Sequence, residues 1–462
     1  MKISRVKSEG GMNIIIVGCG KIGQNLAEQL NEQGNNITVV DISPEKVQEV
    51  STRLDVMGVV GNGATHAIQQ DAGIEQADLL IAVTGSDELN LLCCIVAKKS
   101  SDCHVIARVK QPEYSTESAY LQQELGLAMA INPQYAAAEE IARVLRFPSA
   151  MKIDTFADGR VELVKFRLPE NSPLVGMSVR DVVSRLHCDV LICTVEREDE
   201  ALIAKGDLTF KGKDVISLVA SPKNAAHFFS KIGYRTHSVK DVIIAGGGKT
   251  AHYLCEMLLR DGIAVKIIEK ETKVCEDLCA QFPSATIIHG NAGDQEILAE
   301  EGLADAGAFV ALTNMDEENI LLSLYAKRVF HGKLVTKINR FDFSDVVTHL
   351  DLDSIIYPKN IASDVIVRYV RAMKNTIGSN VETLYNIIKG KVEASEFIVK
   401  EGSAITGKPL MELAFKENVL IASILRGKKV LIPRGHDTIE PGDHVVIVSA
   451  LTGLHDITDV LK

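Results

Sequence analysis

The residues of this 462-residue chain best placed to do chemistry begin with Gly18-Cys19-Gly20-Lys21-Ile22-Gly23, which follow the apolar run Ile14–Val17. Asp41 lies eighteen residues beyond Gly23. Glycines in this order serve a dinucleotide. Gly18 permits a tight turn, Gly20 lets a pyrophosphate approach the backbone, and Gly23 lets a helix pack close to its strand. The helix that starts there turns free N–H groups and the positive end of its dipole toward phosphate. Asp41 stands where a carboxylate accepts hydrogen bonds from ribose hydroxyls and repels a 2′-phosphate, which favours NAD over NADP. The competing reading is a glycine turn that serves packing alone. The acid at the right distance argues against it.

A second set of the same residues lies 228 positions on. Gly246-Gly247-Gly248-Lys249-Thr250-Ala251 follows Asp241–Ala245, and Glu269 takes the place of Asp41. Alanine in the third glycine position is an accepted variant, so this loop is also expected to bind. Further on the offset becomes 229, where Gly61-Asn62-Gly63 matches Gly290-Asn291-Ala292. The run from Val83 to Asn90 likewise matches Leu312 to Asn319, and Arg108 matches Lys337. In the first copy Asn62, Ala64, Thr84 and Gly85 follow strand ends, where ligands bind in such sheets; Asn291, Ala292 and Thr313 do so in the second. Arg108 and Lys337 are candidates to supply charge to a phosphate. Asp87 and Asp316 read equally well as helix N-caps. Asn90 and Asn319 read as polar positions on a helix surface.

These residues need a scaffold, and the repeat supplies it. Short apolar runs at Ile14–Val17, Ile37–Val40, Val56–Val60, Leu79–Val83, Val105–Val109 and Met129–Ile131 have the composition of strands buried on both faces. Helical spacing separates them, as with Ile22, Leu26 and Leu30. Alternation of this kind implies a parallel sheet with helices on both sides, wound right-handed. After residue 148 the pattern becomes mixed. Val161–Leu168, Val190–Val195 and Val215–Val219 are strand-like, with a helix start at Ser178. Their counterparts are Phe397–Val399, Leu420–Leu425 and Val445–Val448, with a helix near Pro409–Phe415. The expected fold is therefore α/β, a tandem duplication of a doubly wound Rossmann domain followed by a small α+β domain. The expected boundaries are 12–148, 149–233, 239–375 and 379–462.

Composition narrows the partners. The chain is 46 % hydrophobic and 24 % charged with a formal net charge of −11, ordinary for a globular protein and poorly suited to nucleic acid. No apolar run reaches the roughly 20 residues that cross a bilayer. The first eleven residues lack the apolar core of a signal peptide and read as an unstructured leader, with Met12 as an alternative start. The nine cysteines contain no repeated CxxC pair and suit a reducing cytoplasm. A zinc site built on Cys275 and Cys279 is weighed and set aside, and no metal site is expected. A dehydrogenase would need a substrate domain with a proton-transferring residue near the nicotinamide. The small blocks are too short for that, and His66, the histidine beside the first loop, is matched by Gln295. No catalytic residue is expected.

Gly18-Cys-Gly-Lys-Ile-Gly23, Asp41, Gly61-Asn-Gly-Ala64, Ala72-Gly73-Ile74, Ala77-Asp78 and the run Val83–Asn90 together resemble the RCK (KTN) domain family, which regulates potassium conductance. The small blocks resemble the RCK C-terminal domain. Two such pairs in one chain are the layout of the regulatory subunits of Trk-type potassium uptake systems, and the resemblance covers residues 12–462. It implies a cytoplasmic protein, peripherally associated with the inner face of the plasma membrane beneath a TrkH-like integral membrane potassium transporter. It also implies a homo-oligomer, a dimer or tetrameric ring of chains, that gates uptake on binding NAD(H), with ATP or ADP as the alternative at one or both sites. The alternatives in function are a regulator of another cation channel or antiporter, and an NAD-dependent oxidoreductase. Two departures from the pattern, Ala251 and the Gly307 that stands where the first copy has Asp78, both fall on the second site.

Overall fold

The computed structural model describes residues 11–111, 114, 118–157, 159–198, 200–234, 239–339, 350, 352–376, 381–388, 391–450, 454 and 456–462. Most of the expected leader therefore lies outside the described residues. Two compact units divide the chain, one of residues 1–137 with 357–369 and one of 138–356 with 370–462.

The first unit is built on a six-stranded parallel sheet in the order β3-β2-β1-β4-β5-β6. Its strands are β1 (Asn13–Val17), β2 (Asn36–Asp41), β3 (Met57–Val60), β4 (Leu79–Ala82), β5 (His104–Arg108) and β6 (Met129–Ile131). This is the doubly wound order whose ligand crevice opens between β1 and β4, where the chain reverses direction across the sheet. The apolar runs explain it: all four residues of β4 are buried, as are four of the five in β1. Helix α1 (Lys21–Glu32) buries Ile22, Leu26, Ala27 and Leu30 against that sheet, the stripe its spacing predicts. Ser43 caps α2 (Pro44–Leu54) and Pro44 starts it; Ser86 caps α4 (Asp87–Ser100). Between them lies α3 (His66–Asp71), and α5 (Ser118–Leu125) and α6 (Pro133–Arg146) follow α4. Residues 357–369 also belong to this unit, and Asn25 Nδ2 donates to Asn360 Oδ1 and Ser363 Oγ at 3.3 Å.

In the second unit β12 (Asp241–Ala245), β13 (Ala264–Glu269), β14 (Thr286–His289), β15 (Ala308–Ala311), β16 (Lys333–Lys337) and β17 (Ser354–Ile356) repeat the same parallel order. Two five-stranded antiparallel sheets accompany them. One runs β10-β9-β11-β8-β7 over β7 (Lys152–Phe156), β8 (Val161–Arg167), β9 (Val190–Arg197), β10 (Glu200–Ile203) and β11 (Val215–Ala220). Its helices are α7 (Val179–Leu186), which starts at a Ser178–Asp181 capping box, and α8 (Pro222–Lys231). The helices of the second Rossmann sheet are α9 (Lys249–Arg260), α10 (Thr272–Gln281), α11 (Gln295–Glu300) and α12 (Asp316–Val329), and α13 (Pro358–Thr376) follows the sheet. The other antiparallel sheet runs β18-β19-β22-β20-β21 over β18 (Val381–Ile388), β19 (Val392–Ile398), β20 (Val419–Arg426), β21 (Lys429–Leu431) and β22 (His444–Ser449).

One apolar cluster joins the two small sheets, with Phe156, Leu163, Cys193 and Val219 packed against Ala394, Ala422, Val446 and Val448. Both sheets carry the same ion pair. Arg197 grips Asp214 with two bonds of 2.8 and 2.7 Å, and Arg426 grips Asp443 with bonds of 2.9 and 2.8 Å. The sequence pattern predicts three strands in each small block, and the structure adds the edge strands β7, β10, β18 and β21, which the pattern does not mark. The helix predicted near Pro409–Phe415 is only a 3-10 turn at Leu410–Glu412.

Candidate functional site

The first loop leaves β1 through Gly18, whose φ of +108° only glycine adopts without strain. Its N–H donates to Val40 O at 2.7 Å, which ties the loop to β2. A Cβ on Gly18 would stand 3.0 Å from Thr84 N, and one on Gly23 would stand 1.8 Å from Gly18 O. At Gly20 a Cβ would meet nothing within 4 Å. The middle glycine therefore keeps its backbone bare toward open space, as a pyrophosphate requires, and the outer two hold the loop in shape. Gly20 is also the N-cap of α1, and no side chain caps that helix end. Its first-turn N–H groups are left for an anion.

Asp41 does more than face a ribose. Its Oδ2 accepts from Cys19 N at 2.7 Å and its Oδ1 from Ser43 N at 2.9 Å. The carboxylate thus pins both the glycine loop and the start of α2, and each oxygen keeps a lone pair for a ligand hydroxyl. The Cys19 thiol beside it is pushed up to about 12, by burial first and then by the Asp41 charge, so it is inert as a nucleophile.

The second loop repeats this scheme. Gly246, at φ +99°, donates to Ile268 O at 2.8 Å. Glu269 accepts from Gly247 N at 2.6 Å and from Glu271 N at 2.8 Å. Gly248 caps α9, again without a side-chain bond. Over this loop lies a cleft of about 310 Å³, at the lower end of the range for small-molecule sites. Gly246, Gly248, Glu269, Asn291, Ala292 and Thr313 line it. Lys249, Thr250, Ala251 and Lys337 are not among its lining residues: Thr250 and Ala251 are buried in α9, and Lys337 lies beneath Leu312.

Four polar residues have duties the sequence reading did not assign. Asn90, fully buried, accepts from Thr84 N and Oγ1 at 2.8 and 2.7 Å and donates to Arg108 O at 2.9 Å. Asn319 does the same for Thr313 N and Lys337 O. These are struts that lock the loop after one strand to the end of the next, not helix-surface positions. Asp87 and Asp316 are not caps of their own helices. Asp87 accepts from Lys110 N and Gln111 N, and Asp316 from Asn339 N, each holding the turn after a fifth strand. The asparagines bridge a partner six residues back and one eighteen residues on, and the aspartates reach partners 23 or 24 residues away, so nothing in the local sequence marks either role.

The paired basic residues lie at the same level. Arg108 Nη2 donates to Thr84 O while its Nε has no partner among the described residues, and burial lowers its basicity against the pull of Asp87. Lys337 Nζ donates to Leu312 O at 2.9 Å, and burial pulls its ammonium down to about 8 with Asp316 opposing. Asn62 and Asn291 fold their own turns, each accepting from the N–H two residues on.

Taken together, the bare middle glycines, the uncapped helix ends and the strand-terminal acids fit a dinucleotide. They define a chain with two Rossmann units, each bearing such a loop and each paired with a small antiparallel domain. The model of the TrkA-N domain matches residues 14–133 and 242–358, and that of the TrkA-C domain matches 163–233 and 394–462. The chain belongs to the TrkA family. It is 30 % identical to the Trk system potassium uptake protein TrkA homolog 1 of Methanosarcina mazei, over 98 % of this chain and all of that protein. It is also 30 % identical to the Trk system potassium uptake protein TrkA of Halomonas elongata, over 94 % of this chain and 95 % of that one. Among solved structures the GsuK channel bound to NAD is similar in fold, with a TM-score of 0.63 at 17 % identity over 96 % of this chain and 78 % of that one. The crystal structure of the GsuK RCK domain gives a TM-score of 0.63 at 16 % identity, over 96 % of this chain and 94 % of that one.

Proposed function

We propose that this chain is the nucleotide-sensing regulatory subunit of a potassium uptake system, that it acts through a TrkH-like membrane transporter, and that NAD(H) or an adenine nucleotide sets its state. The observation that carries the reading is the repeated loop. Two uncapped helix N-termini sit behind bare glycines, each with a strand-terminal carboxylate in place. The relatives named for potassium uptake and the fold shared with a channel bound to NAD support the same direction. In this reading Gly18, Gly20, Lys21, Ile22 and Gly23 cradle the diphosphate of the first site with Arg108 behind them, and Asp41 takes the ribose. Asn62, Ala64, Thr84 and Gly85 form its rim. No described helix is long and apolar enough to cross a membrane. Control of transport therefore has the chain dock at the cytoplasmic side of the membrane subunit, as a homo-oligomer.

Gating follows from differential binding. A nucleotide that grips the loop of one arrangement better than that of another shifts the population toward the first, by no more than the difference in affinity. Potassium-limited growth of a strain lacking its own subunit, supplied with this gene and its cognate membrane subunit, tests the reading. Rescue that Asp41→Ala abolishes is the expected outcome. Because Asp41 also holds Cys19 N and Ser43 N, Asp41→Asn, which keeps one of the two acceptor oxygens, serves as the milder variant, expected to weaken NAD(H) binding while keeping expression. Absence of rescue with both proteins present and the membrane subunit competent would move the assignment to another channel or antiporter. In calorimetry Asp41→Ala is expected to cost more NAD(H) affinity than Glu269→Ala, since Gly23 lets α1 approach its strand more closely than Ala251 lets α9. Equal or reversed losses would refute that ranking.

A further inference from the structure

We infer that Glu318 makes the second site select by charge, taking the oxidised, cationic nicotinamide dinucleotide ahead of its reduced form and ahead of nucleoside polyphosphates. This rests on the reading of the cleft as a dinucleotide site. Its charged lining residues fall into two groups. Glu269 ends β13 and Lys270 and Glu271 follow it, while of the charged lining residues only Glu318 stands on the first turn of α12, after β15. In the sheet β13 and β15 flank β12 on opposite sides. A dinucleotide whose first ribose meets Glu269 and whose diphosphate lies over Gly248 must therefore carry its second nucleoside toward Thr313, Met315 and Glu318.

Glu318 is half-buried, and among the described residues no hydrogen bond or ion pair holds its carboxylate. It closes over the loop after β14: a side chain placed on Gly293 would come 3.6 Å from Glu318 Oε1. Its neighbour Asp316 is turned away and occupied by Asn339. A lone carboxylate on the wall where the second base arrives attracts a pyridinium ring, gains nothing from a dihydropyridine, and repels a terminal phosphate.

The first copy is the internal control. At the matching position it has Leu89, which packs against the core. Its adjacent Glu88 is exposed and accepts from Ser86 Oγ at 2.6 Å. No free carboxylate faces that site from this position, so the first site should not share the preference.

Calorimetric titration of the full chain with NAD⁺, NADH and magnesium ATP, in wild type, Glu318→Gln and Glu318→Leu, tests the inference. One class of site in the wild type should bind NAD⁺ about tenfold more tightly than NADH, the scale set by one opposite charge at a few ångströms. Both variants should abolish that ratio and leave the other class unchanged. Equal affinities for NAD⁺ and NADH in the wild type, a preference that survives Glu318→Gln, or tighter binding of magnesium ATP at that class would overturn it. Binding of no nucleotide at either class would instead overturn the dinucleotide reading itself.

Discussion

The two glycine loops share one backbone scheme and differ in what fills it. In both, the strand-terminal acid accepts from the second residue of the loop and from the residue two places after itself. Around that scheme the volumes have been exchanged. The first copy carries Cys19 where the second carries Gly247, and a Cβ on Gly247 would meet Leu278 at 2.8 Å and Val274 at 3.1 Å. The first copy has the smaller Val50 at the place of Leu278 and Lys46 at that of Val274. Likewise a Cβ on Gly63 would strike Val17 at 2.3 Å, whereas the second copy holds Ala292 opposite Ala245. Since tightly packed interiors register each methyl group, the halves have kept the hydrogen bonds and redistributed the packing. The same comparison has a limit at Gly23. A Cβ there would lie 1.8 Å from Gly18 O, yet Ala251 carries one, so the second loop must hold its first carbonyl farther from the helix.

If the backbone scheme is the shared element, removing its strut should injure each half equally and separately. Asn90→Ala leaves the Thr84 N–H and the Arg108 carbonyl without their buried partner, and Asn319→Ala does so for Thr313 and Lys337. The expected cost is about 3 kcal/mol each, or roughly 100-fold in local opening. Amide hydrogen exchange should show β4 losing protection in Asn90→Ala while β15 keeps it, and the reverse in Asn319→Ala. Loss in both halves from either change would mean that they do not open independently.

The exchange of volumes makes a narrower claim. Gly63→Ala should cost about 2 kcal/mol through the clash with Val17. Adding Val17→Ala, which reproduces the pair found in the second copy, should recover at least 1 kcal/mol relative to the sum of the single changes, as expected of side chains in contact. Thermal melts of the two single variants and the double variant give the coupling. Simple additivity would dissociate the two positions and remove the packing account of their difference.

What the sequence shows and what it hides follow the same division. The glycine loops, their acids, the alternation of strand and helix and the duplication are legible because each rests on short-range pattern or its repetition: a turn that needs glycine, an apolar run, a helical stripe. Asn90 and Asn319 are opaque because one partner of each belongs to the next strand, eighteen residues on, and a buried amide and a surface amide look alike in sequence. Asp87 and Asp316 mislead for a related reason, since an acid at a helix start is also what a cap looks like. Glu318 is hidden more completely. Its match in the repeat is an apolar leucine, so a comparison that looks for shared residues passes over it. Edge strands such as Glu200–Ile203 and Lys429–Leu431, of four and three residues, are too short to announce themselves.

The remaining difference between the halves, Arg108 against Lys337, is the smallest in expected effect and the most specific in its signature. Arg108 donates to Thr84 O and Lys337 to Leu312 O, carbonyls one or two residues past the fourth strand of each sheet, and both are desolvated there. A guanidinium remains charged throughout the accessible range, whereas burial brings the Lys337 ammonium down from 10.5 to about 8. A lowered folded value means that the folded chain releases this proton before the unfolded chain does. Between about pH 8 and 10.5 the unfolded state then binds more protons, and stability rises with pH through that window. Below pH 8 both states are charged and the desolvation penalty is present in full. Relative to Lys337→Met, which carries no such penalty, the wild type should therefore gain about 1 kcal/mol from pH 7 to pH 9. The corresponding pair of wild type and Arg108→Met should show a flat difference across the same range. Paired urea titrations at the two pH values, read through hydrogen exchange of β15 and β4, provide the measurement. A flat difference for Lys337 as well would mean that its ammonium stays charged in place, held by Asp316 strongly enough to cancel the cost of burial.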